Sequence, residues 1–424
     1  MLIEFSVSNF RSIKEKLTFS MLAKEPTTNK VDGSSFKTGF NMAPDLSTLS
    51  VIYGPNASGK SNLLMALDFV TSFVLNAHKM QDGDHFEDLK QFKLGKEEAL
   101  SEFEVVFIQE TFLFQYGFSL DKEKIHDEWL YATELRNTKQ KSQTWISRSE
   151  GKIGIPKEKE TTKNLWLEST RSNALILSTA VQLNSEKLRI PFDWFKKRLR
   201  VVLTPENSSL TFLNLTFSRN LLKKNKNTIL KFMQGLDFSF EDLETTEHLF
   251  DEGSLENSPF SDELTKMIIE GIKKNGGKIP KLKSVYRLGK KSYQLGFEEE
   301  SKGTQALFAM AGPILDVLEN GYTFVVDELD TSLHPLALRG VIELFKNPET
   351  NRNHAQLIFT THDTSVMDLF NRDQVWLVEK NNKYMSTLIS VNEFKGSRTT
   401  DIIEKKYLAG RYGALPRIGN LVHV

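Results

Sequence analysis

The chain has no cysteine, and that absence removes three kinds of chemistry at once. Disulfides, thiolate nucleophiles and thiolate metal sites are all excluded. The eight histidines show no His-x-x-x-His spacing with a glutamate beside it, so a zinc site is not expected and Mg2+ is the only metal implied. No apolar run reaches about eighteen residues, and Met1-Leu2-Ile3-Glu4 meets a carboxylate at once. Neither a membrane-spanning helix nor a secretory leader is expected, and the chain reads as a cytoplasmic protein. Charge of one sign is not in excess either. With 55 basic residues against 55 acidic ones, a nucleic-acid-attracting field over the whole surface is disfavoured.

What is present starts with Gly54-Pro55-Asn56-Ala57-Ser58-Gly59-Lys60-Ser61, which matches G-x-x-x-x-G-K-[ST] at every specified position. The apolar run Leu49, Val51, Ile52 precedes it, and the helical spacing Leu63, Leu64, Ala66, Leu67, Val70 follows. Strand, glycine loop and helix N-terminus are what phosphate binding needs. Glycines let the backbone wrap so that N–H groups of Asn56, Ala57, Ser58 and Gly59 can face phosphates, with the helix dipole behind them. Lys60 then reaches the β and γ phosphates of ATP, and Ser61 is placed to ligate Mg2+. A second apolar strand, Phe324-Val325-Val326, ends in Asp327-Glu328. Asp327 fits the Mg2+-holding role, and Glu328 is placed to polarise the water that attacks the γ-phosphate.

Three further segments belong with these. Glu300-Ser301-Lys302-Gly303-Thr304-Gln305 is a Ser-x-Gly turn ahead of the apolar helix pattern Leu307, Phe308, Met310, Ala311, with Ser301 lying 241 positions beyond Lys60. Asp330-Thr331-Ser332-Leu333-His334-Pro335 follows the acidic pair directly, and the strand Leu357-Ile358-Phe359-Thr360-Thr361 delivers His362-Asp363. On these residues the chain resembles the ABC-type ATPase heads of the RecF, SMC and Rad50 group, in which nucleotide lies between two protomers. The resemblance implies Ser301 and Gly303 as the signature turn, Asp330 as a dimer-contacting acidic loop, and His362 as the switch histidine that senses the γ-phosphate. Lys302 and Thr304 depart from the usual Leu-Ser-Gly-Gly-Gln, which touches fine geometry more than the role.

The opening alternating strand ends in Asn9-Phe10-Arg11-Ser12, and the same resemblance places that turn beside the nucleotide. Arg11 is then a candidate phosphate or ribose contact, with an exposed basic residue in a hairpin as the alternative. For the glutamine that contacts Mg2+ and the attacking water, Gln182 after the apolar, strand-like Leu177–Val181 is the choice. Gln91 and Gln143 stay open. The order of these motifs, together with Phe103–Ile108, Glu128-Trp129-Leu130 and Tyr407-Leu408-Ala409-Gly410-Arg411-Tyr412-Gly413, looks like compact prokaryotic AAA-type, ABC-like ATPases found in abortive-infection and phage-defence operons.

The expected fold class is α/β: an ABC-type P-loop NTPase head with an antiparallel β subdomain and a mostly helical insert. Residues 1–135 would form the first half of the head, 136–282 the insert, and 283–424 the second half with signature, acidic pair and switch histidine. Pro156, Pro191, Pro205, Pro259 and Pro280, and the lack of sustained heptads, exclude a long coiled-coil arm. Only 62 residues follow His362, too few for an appended nuclease domain, so a nuclease is expected as a separate chain. The leading expectation is a dimeric ATP-hydrolysing switch that controls such an effector. The alternative is a RecF-like DNA-binding ATPase, gripping phosphates through the basic stretch Lys273–Lys291. A membrane partner is not expected.

Overall fold

The computed structural model describes residues 1–24, 33–94, 99–135, 140–149, 152–155, 158–203, 218–236, 238–249, 270, 273, 277–331, 333–394 and 402–416. In chain order the strands begin with β1 (Leu2–Ser8), β2 (Leu17–Ser20), β3 (Ser35–Phe40), β4 (Ala43–Ser47), β5 (Leu49–Tyr53) and β6 (Ser101–Gln109). They continue through β7 (Phe112–Leu120), β8 (Ile125–Glu134), β9 (Gln143–Ser149), β10 (Lys152–Gly154), β11 (Leu199–Val202) and β12 (Asp242–Leu249). The last six are β13 (Lys278–Leu288), β14 (Lys291–Gly296), β15 (Thr323–Val326), β16 (Gln356–Thr360), β17 (Val375–Lys380) and β18 (Ser386–Ser390). Helices that position the site are α1 (Lys60–Asn76), α2 (Ile176–Gln182), α3 (Lys302–Asn320), α4 (Pro335–Lys346) and α5 (Ile403–Leu408).

Two compact units result. The first comprises Met1–Leu203, Leu318–Leu329 and Leu344–Val424, the second Thr204–Val317 and Asp330–Glu343. Within the first, a six-stranded sheet has the order β11-β15-β16-β5-β17-β18, parallel except for the last pair. Its central strands β5, β15 and β16 are mainly apolar and buried throughout, as a sheet covered on both faces requires. Parallel register aligns the C-terminal ends of β5, β15 and β16, where the phosphate loop, the acidic pair and His362 emerge. That is the edge at which open α/β sheets bind ligands.

A second, antiparallel sheet in the same unit has the order β10-β9-β8-β7-β6-β1-β2. Phe103 and Phe118 on this sheet pack with tilted rings against Phe69 and Phe73 of α1, at ring separations of 5.1 and 5.4 Å. Each buried phenylalanine contributes about 1.5–3 kcal/mol of apolar transfer, so α1 is gripped along its length. Glu128, fully buried on β8, fastens α2 to the sheet. It accepts the Ile176 and Leu177 N–H groups at 2.7 and 3.0 Å and the Tyr116 hydroxyl at 3.0 Å. Burial raises its carboxyl above the ordinary carboxylate range, opposed by those donors and by Arg148.

The second unit holds the three-stranded antiparallel sheet β12-β13-β14. Ser284 and Tyr286 on β13 both donate to Glu300, the Tyr286 bond being 2.7 Å. Residues Arg287 to Gln294, at the far end of the β13–β14 hairpin, are all exposed.

The stretch expected as a mostly helical insert is mixed. Residues 143–202 contribute β9, β10 and β11 to the first unit, and β12 and β13 pair in the second. β12 escapes a pattern search because its Asp-Leu-Glu-Thr-Thr-Glu-His-Leu buries only Leu243 among the side chains described. Lys274, in the basic stretch Lys273–Lys291, lies outside the described residues. Among the described residues no helix is long and apolar enough to cross a membrane.

Candidate functional site

Glycine is required at two points of the phosphate loop by close approach. A Cβ at Gly54 would come within 2.2 Å of the Val378 carbonyl oxygen, and one at Gly59 within 2.2 Å of Ser386 Oγ. Gly59 and Ala57 also occupy the left-handed region, at φ of 111° and 61°. The loop therefore closes tightly onto β17 and β18 ahead of α1, with the Ser58 N–H donating back to the Pro55 carbonyl at 3.2 Å. Lys60 is only 6% exposed, and its ammonium donates to the carbonyls of Gly54 at 2.8 Å and Pro55 at 3.4 Å. The ammonium is thus turned back onto the loop's own backbone. Ser61 is half-buried on the first turn of α1; Asn56 and Ala57 are exposed.

A set of hydrogen bonds that no motif announces locks the loop to the N-terminal turn. Asn62 Nδ2 donates to Ser12 Oγ at 2.6 Å, Ser12 and Ser386 share a bond of 2.7 Å, and Ser386 Oγ donates to the Ser58 carbonyl at 2.6 Å. Asn9 and Arg11 both adopt left-handed backbone, at φ of 50° and 51°. Phe10 and Ile13, which exchange backbone bonds of 2.8 Å, anchor that turn in the core. Arg11 is exposed and lines a cavity of about 550 Å³ with Ser12, Asn62, Gln91, Lys380 and Tyr384. The cations there suit phosphate or ribose oxygens.

At the end of β15, Asp327 is 6% exposed and accepts the Thr360 hydroxyl on Oδ1 at 2.6 Å. Glu328 is half-buried with a left-handed backbone, φ 48°, and its N–H donates back to Thr360 Oγ1 at 2.7 Å. His362 is exposed two residues beyond Thr360. The turn it occupies is tied to the phosphate-loop strand by the Tyr53 hydroxyl, which donates to the Asp363 carbonyl at 2.9 Å. The ring of Tyr407, on α5, packs 5.9 Å from Tyr53, so the Tyr-Leu-Ala-Gly-Arg-Tyr-Gly segment buttresses this junction.

Gln182 is misplaced for a metal ligand. Leu175–Val181 is not a strand but leads into and forms α2, and Gln182 lines a cavity with Leu75, His78 and Lys79 at the far end of α1. At about 1.5 Å of rise per residue, Ser61 lies about 20 Å along that helix. A short apolar run fits either helix or strand, and here the Glu128 carboxylate capping its first N–H groups settles it as helix. Gln143 opens β9 in the antiparallel sheet. Of the three glutamines, Gln91 is the one beside Asn62, on the first turn of α1.

In the second unit, Ser301 caps α3: its Oγ accepts the Thr304 N–H at 3.1 Å and lies 2.8 Å from Thr304 Oγ1. Ser301 and Lys302 are exposed and Gly303 half-buried. Thr304, which departs from the usual signature, thus completes the cap. Gln305 braces the turn from behind by donating to the carbonyls of Glu300 and Glu298 at 2.9 and 3.1 Å. Asp330 closes its own turn, its carbonyl accepting the Leu333 N–H at 3.0 Å.

The donor set suits Mg2+ with nucleotide. Among the described residues no cluster of three or more His, Asp or Glu could hold a metal by itself. Mg2+ instead takes one or two protein oxygens, phosphate oxygens and waters. The Ser61 hydroxyl and the second Asp327 oxygen are donors of that kind.

Among curated proteins none matches this chain. A solved structure described as "Crystal structure of the SmcHead bound to the C-winged helix domain of ScpA" is similar at 15% identity and a TM-score of 0.43, covering 92% of this chain and 97% of that one. A protein family described as "AAA domain, putative AbiEii toxin, Type IV TA system" matches residues 49–368, which span the phosphate loop, the Ser301 turn, the acidic pair and His362. Three quarters of the sequence is thereby covered, and the chain belongs to this family of AAA ATPase domains, with an α/β, ABC-like P-loop fold.

Proposed function

We propose that the protein binds and hydrolyses ATP as a dimeric switch and that its nucleotide state controls a separate effector, a toxic nuclease in anti-phage defence. The observation that carries the hydrolytic half is the acidic pair at the end of β15, beside a phosphate loop whose lysine is already buried and oriented. Lys60 and the loop N–H groups hold the β and γ phosphates, and Ser61 and Asp327 hold Mg2+. When bound, Mg2+ neutralises phosphate charge. Glu328 takes a proton from the attacking water as its oxygen bonds to the γ-phosphorus and the bond to the ADP oxygen breaks. His362 contacts the γ-phosphate, and Arg11 contacts phosphate or ribose oxygens.

The Ser301 turn supports the dimeric part of this reading. Ser301 Oγ accepts the Thr304 N–H and shares a 2.8 Å hydrogen bond with the Thr304 hydroxyl, which fixes an exposed serine at the first turn of α3. An exposed helix N-terminus suits the γ-phosphate of nucleotide held by a second copy, with Gly303 allowing close approach and Asp330 contacting that copy. Loss of γ-phosphate contacts then opens the dimer and changes its hold on the effector. Sedimentation of Glu328→Gln tests this: dimers with ATP and monomers with ADP are expected, and the same mass in both would refute the switch. Co-expression with the product of the adjacent gene tests the output, through nuclease activity that depends on Lys60.

The hairpin tip favours one second reading. Lys290 and Lys291 stand exposed at the tip, as a DNA-binding ATPase would present them, and the exposed Arg287 beside them is ion-paired with Glu241 at 3.3 Å. DNA affinity that falls steeply with salt and disappears on reversing these charges would select it.

A further inference from the structure

We infer that Thr360 is the positioning residue for both acidic groups of the site, an inference that rests on the roles proposed above for Asp327 and Glu328. One residue makes three bonds to three consecutive partners. Its hydroxyl donates to Asp327 Oδ1 at 2.6 Å and accepts the Glu328 N–H at 2.7 Å, while its carbonyl accepts the Leu329 N–H at 3.1 Å. The side chain is fully buried, at the last position of β16, where the parallel register with β15 brings it level with Asp327.

The consequences follow from what a hydroxyl can do. It has one proton and two lone pairs, and water does not compete for them here. Because the proton goes to Asp327, one carboxylate oxygen is committed and the orientation of the other is set for a cation. Because a lone pair takes the Glu328 N–H, the left-handed turn at φ 48° is held where a non-glycine residue would otherwise relax. That turn determines the direction in which the Glu328 side chain leaves the strand. A β-branched residue also has a stiff χ1, so the hydroxyl stays on both partners. Thr360 directly precedes Thr361-His362, so the strand end that presents the γ-phosphate sensor also sets the geometry of the base.

Thr360→Val removes the hydroxyl and keeps the shape, and Thr360→Ser keeps the hydroxyl and removes the methyl. Both are compared with Glu328→Gln for ATP turnover, binding of a fluorescent ATP analogue, and the Mg2+ concentration giving half-maximal rate. Thr360→Val is expected to lower kcat about 10- to 100-fold, to raise the Mg2+ requirement, and to leave analogue affinity within about twofold. Thr360→Ser is expected to restore most of kcat, which a packing role would not do. Wild-type turnover in Thr360→Val overturns the inference, and so does a Thr360→Ser loss as large as that of Thr360→Val. If Thr360→Val does not fold, Thr360→Ala is read against Thr360→Ser in the same way. Glu328→Gln separates the two levels: wild-type turnover there refutes the role of Glu328 itself, whereas slow turnover with an unimpaired Thr360→Val refutes only the role of Thr360.

Discussion

The phosphate-loop region and the Ser301 turn hold their polar groups in opposite ways. In the first, Lys60, Asp327 and Thr360 are buried and bonded to their own chain. In the second, Ser301 and Lys302 are exposed, and nearby Leu336 on α4 is 70% exposed. Burial strengthens each electrostatic contact and makes an unpaired group costly, so the first region must be assembled before ligand arrives. An exposed cap has no such demand.

The largest effects are therefore expected in the first region. Lys60→Ala should abolish ATP binding, because the loop loses its cation, and Glu328→Gln should bind ATP but turn it over at least about a hundredfold more slowly. Equilibrium binding and single-turnover hydrolysis separate the two; normal turnover by Glu328→Gln would contradict the assignment.

The second region can be tested by complementation. Ser301→Arg and Lys60→Ala, each inactive alone, should recover partial hydrolysis when mixed, since a hybrid dimer contains one intact site. Verified subunit exchange without recovery would mean that each chain completes its own site.

Stability should also divide the two regions. Glu128→Ala leaves two backbone N–H groups and the Tyr116 hydroxyl without their acceptor, at a cost of about 3 kcal/mol, read from urea unfolding. Ser301→Ala removes one exposed cap and should cost about 1 kcal/mol or less. A pH series sharpens the contrast. Burial holds the Glu128 carboxyl above its ordinary value, so its contribution is complete below the ordinary carboxylate range and is lost as pH rises through the raised value. Glu128→Gln should flatten that part of the profile, and an unchanged slope would exclude Glu128 as its origin.

The smallest effect on turnover is expected from reversing the charges at Lys281, Lys283 and Arg287. Basal ATP hydrolysis should stay within about twofold, while capture of the effector weakens. Loss of DNA binding with effector capture unchanged would favour the DNA-binding reading instead.

The sequence made the phosphate loop and the acidic pair legible because their chemistry is local: eight residues in one case and two at a strand end in the other. Thr360 and Ser386 were not legible, because their partners lie 33 and 328 positions away and a lone hydroxyl carries no periodic signal. Gln182 failed differently. Its apolar run was real, but helix or strand was decided by Glu128, 48 positions upstream of the first N–H it caps.

The bonds between Asn62, Ser12, Ser386 and Ser58 also have a sense of travel. Asn62 can only donate through its amide nitrogen, and the Ser58 carbonyl can only accept, so both hydroxyl protons must point the same way, from α1 through β18 into the loop. Dipoles aligned in one direction polarise one another, and the chain ends on the carbonyl one residue before Gly59. The loop thereby has a wired polarity set by hydroxyls outside the motif. Its two serine protons should exchange with solvent far more slowly than ordinary surface hydroxyls, and replacing Ser386 by alanine would take away the acceptor of the Ser12 proton, whereas replacing Ser12 would leave Ser386 still bonded to the Ser58 carbonyl.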